Sequence, residues 1–283
     1  MNAFIVVNEP WIRFGCFAGV FVLMAAWEIF APKRPLTLGR TLRWPANLGI
    51  VVLNGLLVRI LLPVAAVGIA VLAAESGWGL FNAIDVSGAV PGWFAFVASV
   101  LILDLVVYGQ HVAFHHVPVL WRLHRMHHAD QDIDVTTGAR FHPVEIAISM
   151  ILKMAVVALI GAPPAAVVAF EVVLNATSMF NHGNVAMPAG LDRVLRLFVV
   201  TPDMHRVHHS IVRAETDSNF GFNVPWWDRL FGTYREAPAA GHLGMTIGIP
   251  FFRAPEEQRL GKMLLQPWRN DRPGDRPVPH KAT

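Results

Sequence analysis

Two segments of the chain repeat one arrangement of histidines. LHRMHH at 123–128 places His124, His127 and His128 at i, i+3 and i+4, and MHRVHH at 204–209 does the same with His205, His208 and His209. His111 and His115 form a further i, i+4 pair. On a helix these positions share a face. Each cluster therefore aims two or three imidazoles at one locus, and imidazole suits iron, zinc, copper and nickel. Crowded imidazolium ions repel, so such rings are either neutral or have given up their protons to a bound cation. These eight histidines are more than one ion can use, which implies two ions.

Eleven of the 13 histidines lie between His111 and His209. His182, in FNHGN, is a ninth candidate ligand. His142, in RFHPVE, is expected as a ligand or as support for one, with Pro143 starting a helix behind it and Glu145 within one turn. His116 lies off the face of the His111/His115 pair and is not expected to ligate. His242 and His280 are expected to be exposed.

The elements that carry these residues are apolar. Of 283 residues, 54% are hydrophobic and 15% charged, against roughly 25% charged in a typical soluble domain. About 20 apolar residues span a bilayer. Four or five stretches qualify: 14–30, 46–74, 91–107, and a pair, 144–160 and 165–180, read as a hairpin turning at 161–164. The expected fold is an all-α integral membrane protein with a helical cap carrying a histidine-ligated dimetal site. Its divisions are N-terminal spans at 1–90, a catalytic region at 91–235 and a C-terminal tail at 236–283, loose from Gln266 onward where Pro and charge dominate.

Lys33, Arg34, Arg40 and Arg43 follow the first stretch, whereas 75–90 holds Glu75 and Asp85 and no basic residue. The excess of Lys and Arg places 31–45 in the cytoplasm. Threading from there brings every histidine segment to the cytoplasmic side of a cell or inner membrane. With Arg13 the only basic residue before the first apolar run, a cleavable leader is not expected. The single cysteine, Cys16, excludes an intrachain disulfide or a cysteine-held cluster. A net charge of +3, with basic residues flanking spans, suits lipid headgroups and not nucleic acid. Arg59, Asp104, Lys153 and Glu171 interrupt apolar runs; Arg59 and Lys153 are expected either to snorkel at a boundary or to face the interior.

Taken together, HVAFH (111–115), VPVLWRLHRMHH (117–128), RFHPVE (140–145), FNHGN (180–184), TPDMHRVHH (201–209) and NFGFNVPWWDRLFGTY (219–234) resemble the fatty acid hydroxylase/sterol desaturase superfamily of membrane histidine-box enzymes. The likeness covers about residues 100–235. One departure is the first box, where many relatives carry Arg after each histidine and this chain has Val112 and His116.

The resemblance implies two irons held almost wholly by His111, His115, His124, His127, His128, His182, His205, His208 and His209, with dioxygen as co-substrate. A hydrogen atom would be taken from an unactivated C–H bond of a lipid such as a fatty acyl, sterol-like or aminolipid molecule, giving an alcohol or an alkene. Acids would orient the imidazoles through their second nitrogens. Asp203 and Asp104 are favoured for that role over Asp130, Asp132 and Asp134, of which Asp132 and Asp134 read as solvated or capping acids. Asn219, Trp226, Trp227, Asp228 and Arg229 are expected to cap the site, the Trp pair reading equally as interfacial anchors, and Asn175 and Glu171 are expected to line a tunnel, brace His182 or form a helix–helix hydrogen bond. With no dinucleotide fingerprint and no cysteine set, electrons must come from a separate reductase, ferredoxin or cytochrome.

Two other classes compete. A zinc-dependent membrane hydrolase could use the same donors, but catalytic zinc takes three protein ligands, fewer than are present. A metal transporter would place ligands near the midplane and not at one surface.

Overall fold

A computed structural model describes residues 2–84 and 91–270. The N-terminal elements are α1 (Asn2–Val7), α2 (Glu9–Phe30), α3 (Arg40–Leu61), α4 (Ala65–Ser76) and α5 (Leu80–Ile84). α6 (Gly92–His116), α7 (Pro118–His128), α8 (Pro143–Ile160) and α9 (Pro164–Asn181) carry most of the histidine motifs. Short helices follow: α10 (Ala189–Leu195), α11 (Pro202–His208), α12 (Arg213–Thr216), α13 (Trp226–Leu230), α14 (Gly241–Gly244) and α15 (Leu260–Leu265). Among the described residues the β pairing is limited to two isolated bridges, Pro32 with Val185 and Ser210 with Ile247.

Five segments are long and apolar enough to cross a membrane: Glu9–Phe30, Arg40–Ile84, Gly92–His116, Pro143–Ile160 and Pro164–Asn181. The protein is a multi-span, all-helical membrane protein. The second segment is one apolar stretch in sequence but is divided between α3 and α4 at 62–64, where Pro63 supplies no N–H to continue the helix.

α8 and α9 meet at Gly161, whose φ of +65° a side chain would strain and whose missing Cβ makes room for the Trp78 carbonyl at 2.6 Å. That close approach ties the turn to the segment before α5. The other ends of both helices reach the histidines, so the expected hairpin delivers Glu145 and His182 to one place. Between them the core is made of Leu103, Met150, Val157, Val167 and Phe170 against the small residues Ala66 and Ala70 of α4, which allow close helix approach.

Lys153 does not snorkel. Its ammonium lies 2.8 Å from Glu171, which also takes Arg13 at 2.9 Å, so α2, α8 and α9 share one buried ion group. Arg59, in the last turn of α3, is exposed.

The loop after α7 is held from beneath by Arg43 of α3. The buried guanidinium bonds Asp130 at 2.5 and 2.7 Å and Asp134 at 2.7 Å. Asp132 accepts from the amides of Thr37 and Leu38, each at 2.6 Å. Of the two expectations for Asp132 and Asp134, solvated or capping, the solvated one fails: all three acids are buried and satisfy donors that burial would otherwise leave unpaired, with Asp134 accepting from the Thr136 amide at 2.9 Å. Burial would raise Asp130, but Arg43 and Arg140 outweigh it and hold its carboxyl at about 2.

Residues 236–270 are not a tail. Arg140 bonds Gln258 at 2.6 Å, Gln258 bonds the Ala129 carbonyl, and Arg122 bonds the Pro267 carbonyl at 2.6 Å. The segment straps α7 from outside. The expected loose stretch from Gln266 is corrected as far as it is described: Gln266–Trp268 form a helical turn with Gln266 buried, and the remainder of that expectation, with His280, lies beyond Asn270 and outside the described residues.

Candidate metal centre

α6 ends at His116 and Pro118 restarts the chain as α7, so the first two boxes face each other across a single residue, Val117. α11 is started by Thr201, whose hydroxyl accepts from the Met204 amide, with Pro202 at its first position. His182 stands just past the end of α9. These elements bring all nine candidate histidines together, each 0–4% exposed.

They fall into two groups. His111, His115, His124, His128 and His208 form one; His127, His182, His205 and His209 form the other. Within each group one donor atom per residue lies within 4.8 Å of every other. The adjacent pairs His127/His128 and His208/His209 are divided between the groups, because neighbouring side chains on a helix point about 100° apart.

The outer nitrogens fix where the protons sit. His111 Nδ1 lies 2.8 Å from the Phe220 carbonyl, His182 Nδ1 2.7 Å from that of Ser178, His208 Nδ1 2.7 Å from that of Ser218 and His127 Nδ1 3.2 Å from that of Arg140. His124 Nδ1 meets Glu145 at 2.6 Å and His115 Nδ1 meets Asp217 at 3.3 Å. A carbonyl or carboxylate only accepts, so each of these Nδ1 atoms donates and each Nε2 is left with a bare lone pair.

The Nε2 atoms face one another, although His205, one of them, has no acceptor at Nδ1. His111 and His124 oppose their Nε2 atoms at 3.2 Å, and His182 opposes those of His127 and His205 at 3.1 Å each. The Nε2 atoms of His115 and His208 and both nitrogens of His128 and His209 are buried without a hydrogen-bond partner. Apposed, unprotonated nitrogens repel unless a cation lies among them, so the donor set fits metal ions in both groups. Burial first, then the neighbouring imidazoles, holds His127, His128, His205 and His209 well below the ordinary histidine value. Burial pushes His182 and His208 down to about 3, against the partial support of their carbonyl partners. The rings are neutral, as ligation requires.

Three residues expected to assist stand elsewhere. His142 caps α8: Nδ1 accepts from the Val144 amide at 3.2 Å and Nε2 faces the Leu264 carbonyl at 3.3 Å, so no lone pair is free for a metal. Asp203 pairs with Lys33 at 2.9 Å and with Arg206; two residues before His205 on α11, it points about 200° away from that ring. Asp104 shares the face of His111 but sits about 10 Å down the axis, where it accepts from Trp227 Nε1 at 2.8 Å. Glu171 and Asn175 likewise do not brace His182: Asn175 bonds the Glu171 carbonyl of its own helix. His116 bonds the Val112 carbonyl outside both groups, and His242 is half-buried, 3.9 Å from Asp203.

The acids that touch imidazoles are Glu145 and Asp217. In sequence Glu145 is marked only by lying within one turn of His142, and Asp217 carries no motif or spacing that marks it.

The fold and site define a multi-span helical membrane protein with a buried all-histidine cluster fit for two metal ions. Residues 96–233 match the family described as fatty acid hydroxylase. It is 30% identical over 184 residues to an ornithine lipid hydroxylase of Rhizobium tropici, covering 61% of this chain and 55% of that protein. It is also 30% identical over 151 residues to the alkylglycerol monooxygenase of Homo sapiens, covering 53% of this chain and 33% of the human protein. The chain thus spans between a third and about half of the length of these relatives. No solved structure matches it.

Proposed function

We propose that this protein is a membrane-bound di-iron oxygenase that uses O2 to hydroxylate a C–H bond of a lipid. The observation that carries the reading is the set of opposed Nε2 atoms, 3.1–3.2 Å apart, in a buried cluster where the Nδ1 atoms of His111, His124, His127 and His182 already face acceptors elsewhere. Two irons held there, one by each histidine group, would supply the reduction of dioxygen and the removal of a hydrogen atom from an unactivated carbon.

The chain's own residues prepare the place. Glu145, Asp217 and the carbonyls of Phe220, Ser218, Ser178 and Arg140 keep the protons on Nδ1 and so keep Nε2 available. Phe141 stacks on His127 at 4.4 Å, and Phe222 stands 5.5 Å from His111 and 6.4 Å from His182. These rings form an apolar wall across both groups that excludes water and suits a hydrocarbon chain. A larger apolar cavity of about 860 Å³, lined by Ile5, Trp93, Phe96 and Pro163, lies toward the end of α6 opposite His111.

The relatives support a lipid substrate, since both are named for reactions on lipids. The basic loop carrying Lys33, Arg34, Arg40 and Arg43 supports a cytoplasmic site in a cell or inner membrane, where a separate reductase, ferredoxin or cytochrome would deliver electrons. The test is Mössbauer spectroscopy on iron-57-loaded protein before and after O2, paired with ¹⁸O2 incubation in lipid vesicles containing extracted membrane lipids. A spin-coupled iron pair and label in a lipid alcohol are expected. A protein that binds only zinc and leaves the lipids unlabelled would refute the proposal.

A further inference from the structure

The carbonyls that hold His208 and His111 belong to one loop, residues 218–222 between α12 and α13. Ser218 accepts from the first ring at 2.7 Å and Phe220 from the second at 2.8 Å. A loop carbonyl can fix a ring only if the peptide bearing it is itself held, and here the amides are held by a buried carboxylate. Asp228 Oδ1 accepts from the Phe220 amide at 2.8 Å and from the Thr233 hydroxyl at 2.7 Å; Oδ2 accepts from the Gly221 amide at 2.8 Å. Asp228 is fully buried.

The loop is shaped for this approach. A Cβ on Gly221 would stand 2.7 Å from Asp228 Oδ2 and 2.8 Å from the Val224 carbonyl, so glycine is what lets the carboxylate reach both amides. Asn219 takes a left-handed φ of +52°. Its side chain bonds the carbonyls of Met204 and Arg235 and accepts from the Arg235 amide, each at 2.8 Å. The Nδ1 partners of His127 and His182, in the four-histidine group, are instead on Arg140 and Ser178.

We propose that Asp228 is a positioning residue for the ion of the five-histidine group. By holding the amides of Phe220 and Gly221 it orients the Phe220 carbonyl, and through that carbonyl the Nδ1–H tautomer and ring plane of His111. The hydrogen-bonded path from Asp228 through this loop to a ring nitrogen leads to the five-histidine group. This inference rests on the cluster being a two-ion site.

The experiment uses the full-length, metal-free protein in detergent, titrated anaerobically with Co²⁺ and followed by the d–d absorption of the bound ion. Asp228→Asn, which replaces one acceptor with an NH2 facing an amide N–H, is placed in two backgrounds. In His209→Ala, which impairs the four-histidine group, Co²⁺ affinity is expected to fall by about 10- to 100-fold, the range for a group supporting a ligand, with a shifted d–d spectrum. In His208→Ala, which impairs the five-histidine group, it is expected to stay unchanged. Gly221→Ala, which displaces the same carboxylate, should reproduce the pattern and serves if Asp228→Asn does not fold. Unchanged affinity in the His209→Ala background, or an equal loss in both, would overturn the role of Asp228. A wild-type protein that binds fewer than two Co²⁺ would instead overturn the two-ion reading.

Discussion

His208 and His209 are neighbours in the chain, yet one belongs to the five-histidine group and the other to the four-histidine group, and the two groups are braced differently. In the first, Glu145, Asp217 and the 218–222 loop hold the outer nitrogens. In the second, the outer partners are carbonyls of Arg140, after a short helical turn, and of Ser178, four residues before His182. His209 has no hydrogen-bond partner on either nitrogen. The outer partners found for the four-histidine group are thus main-chain carbonyls alone, whereas the five-histidine group combines two carbonyls with two side-chain acids. Carboxylate partners also raise ligand basicity, so the two sites differ in electronic character as well as in support.

The largest expected effect comes from the ligands. His208→Ala and His209→Ala should each abolish lipid oxidation, a greater loss than the 10- to 100-fold in metal affinity typical of a supporting partner. Metal analysis should show a different ion lost in each variant, by their distinct Mössbauer signals. Loss of the same signal from both would break the division into two groups.

Acid should separate the ion-loaded protein from the metal-free one. The folded-state values of His182 and His208 lie at about 3, below the ordinary value of about 6.5 for the unfolded chain. Between these the unfolded state binds more protons, so stability falls as pH drops from about 6.5 toward 3. The metal-free protein should show a declining thermal midpoint across that window and a flat one above it; a midpoint insensitive to pH there would contradict neutral, buried rings.

Glu145→Gln and Asp217→Asn should weaken metal binding by about 10- to 100-fold at the five-histidine group alone, measured by chelator competition, with Glu145→Gln the stronger because its contact is shorter. An effect on the four-histidine ion would blur the comparison. At the small end, His142→Ala should leave metal content intact and lower stability by only about 0.5–2 kcal/mol through loss of a helix cap, read by thermal unfolding.

The histidine spacing disclosed much of this site, because i, i+3, i+4 positions on short helices share a face wherever those helices are placed. Hydropathy disclosed the five spans for a similar local reason: crossing a bilayer requires a long apolar segment. Supporting residues were less legible. Asp203 and Asp104 were favoured for their nearness in sequence to His205 and His111, but helical rotation turned one away and axial rise carried the other out of reach. Lys153 read as a boundary residue because its partners, Glu171 and Arg13, lie on other helices.

What the sequence by itself determined is the donor set, its nine residues and the apolar helices that carry them, since residue type and local periodicity suffice for these. Only the tertiary structure decided how the nine divide into five and four, that His142 caps a helix instead of facing a metal, and that Glu145, Asp217 and the loop before Asp228 hold the rings. Each of these depends on contacts between segments far apart in the chain, whose relative placement is set by how the helices pack and by the buried polar groups that must find partners once they do.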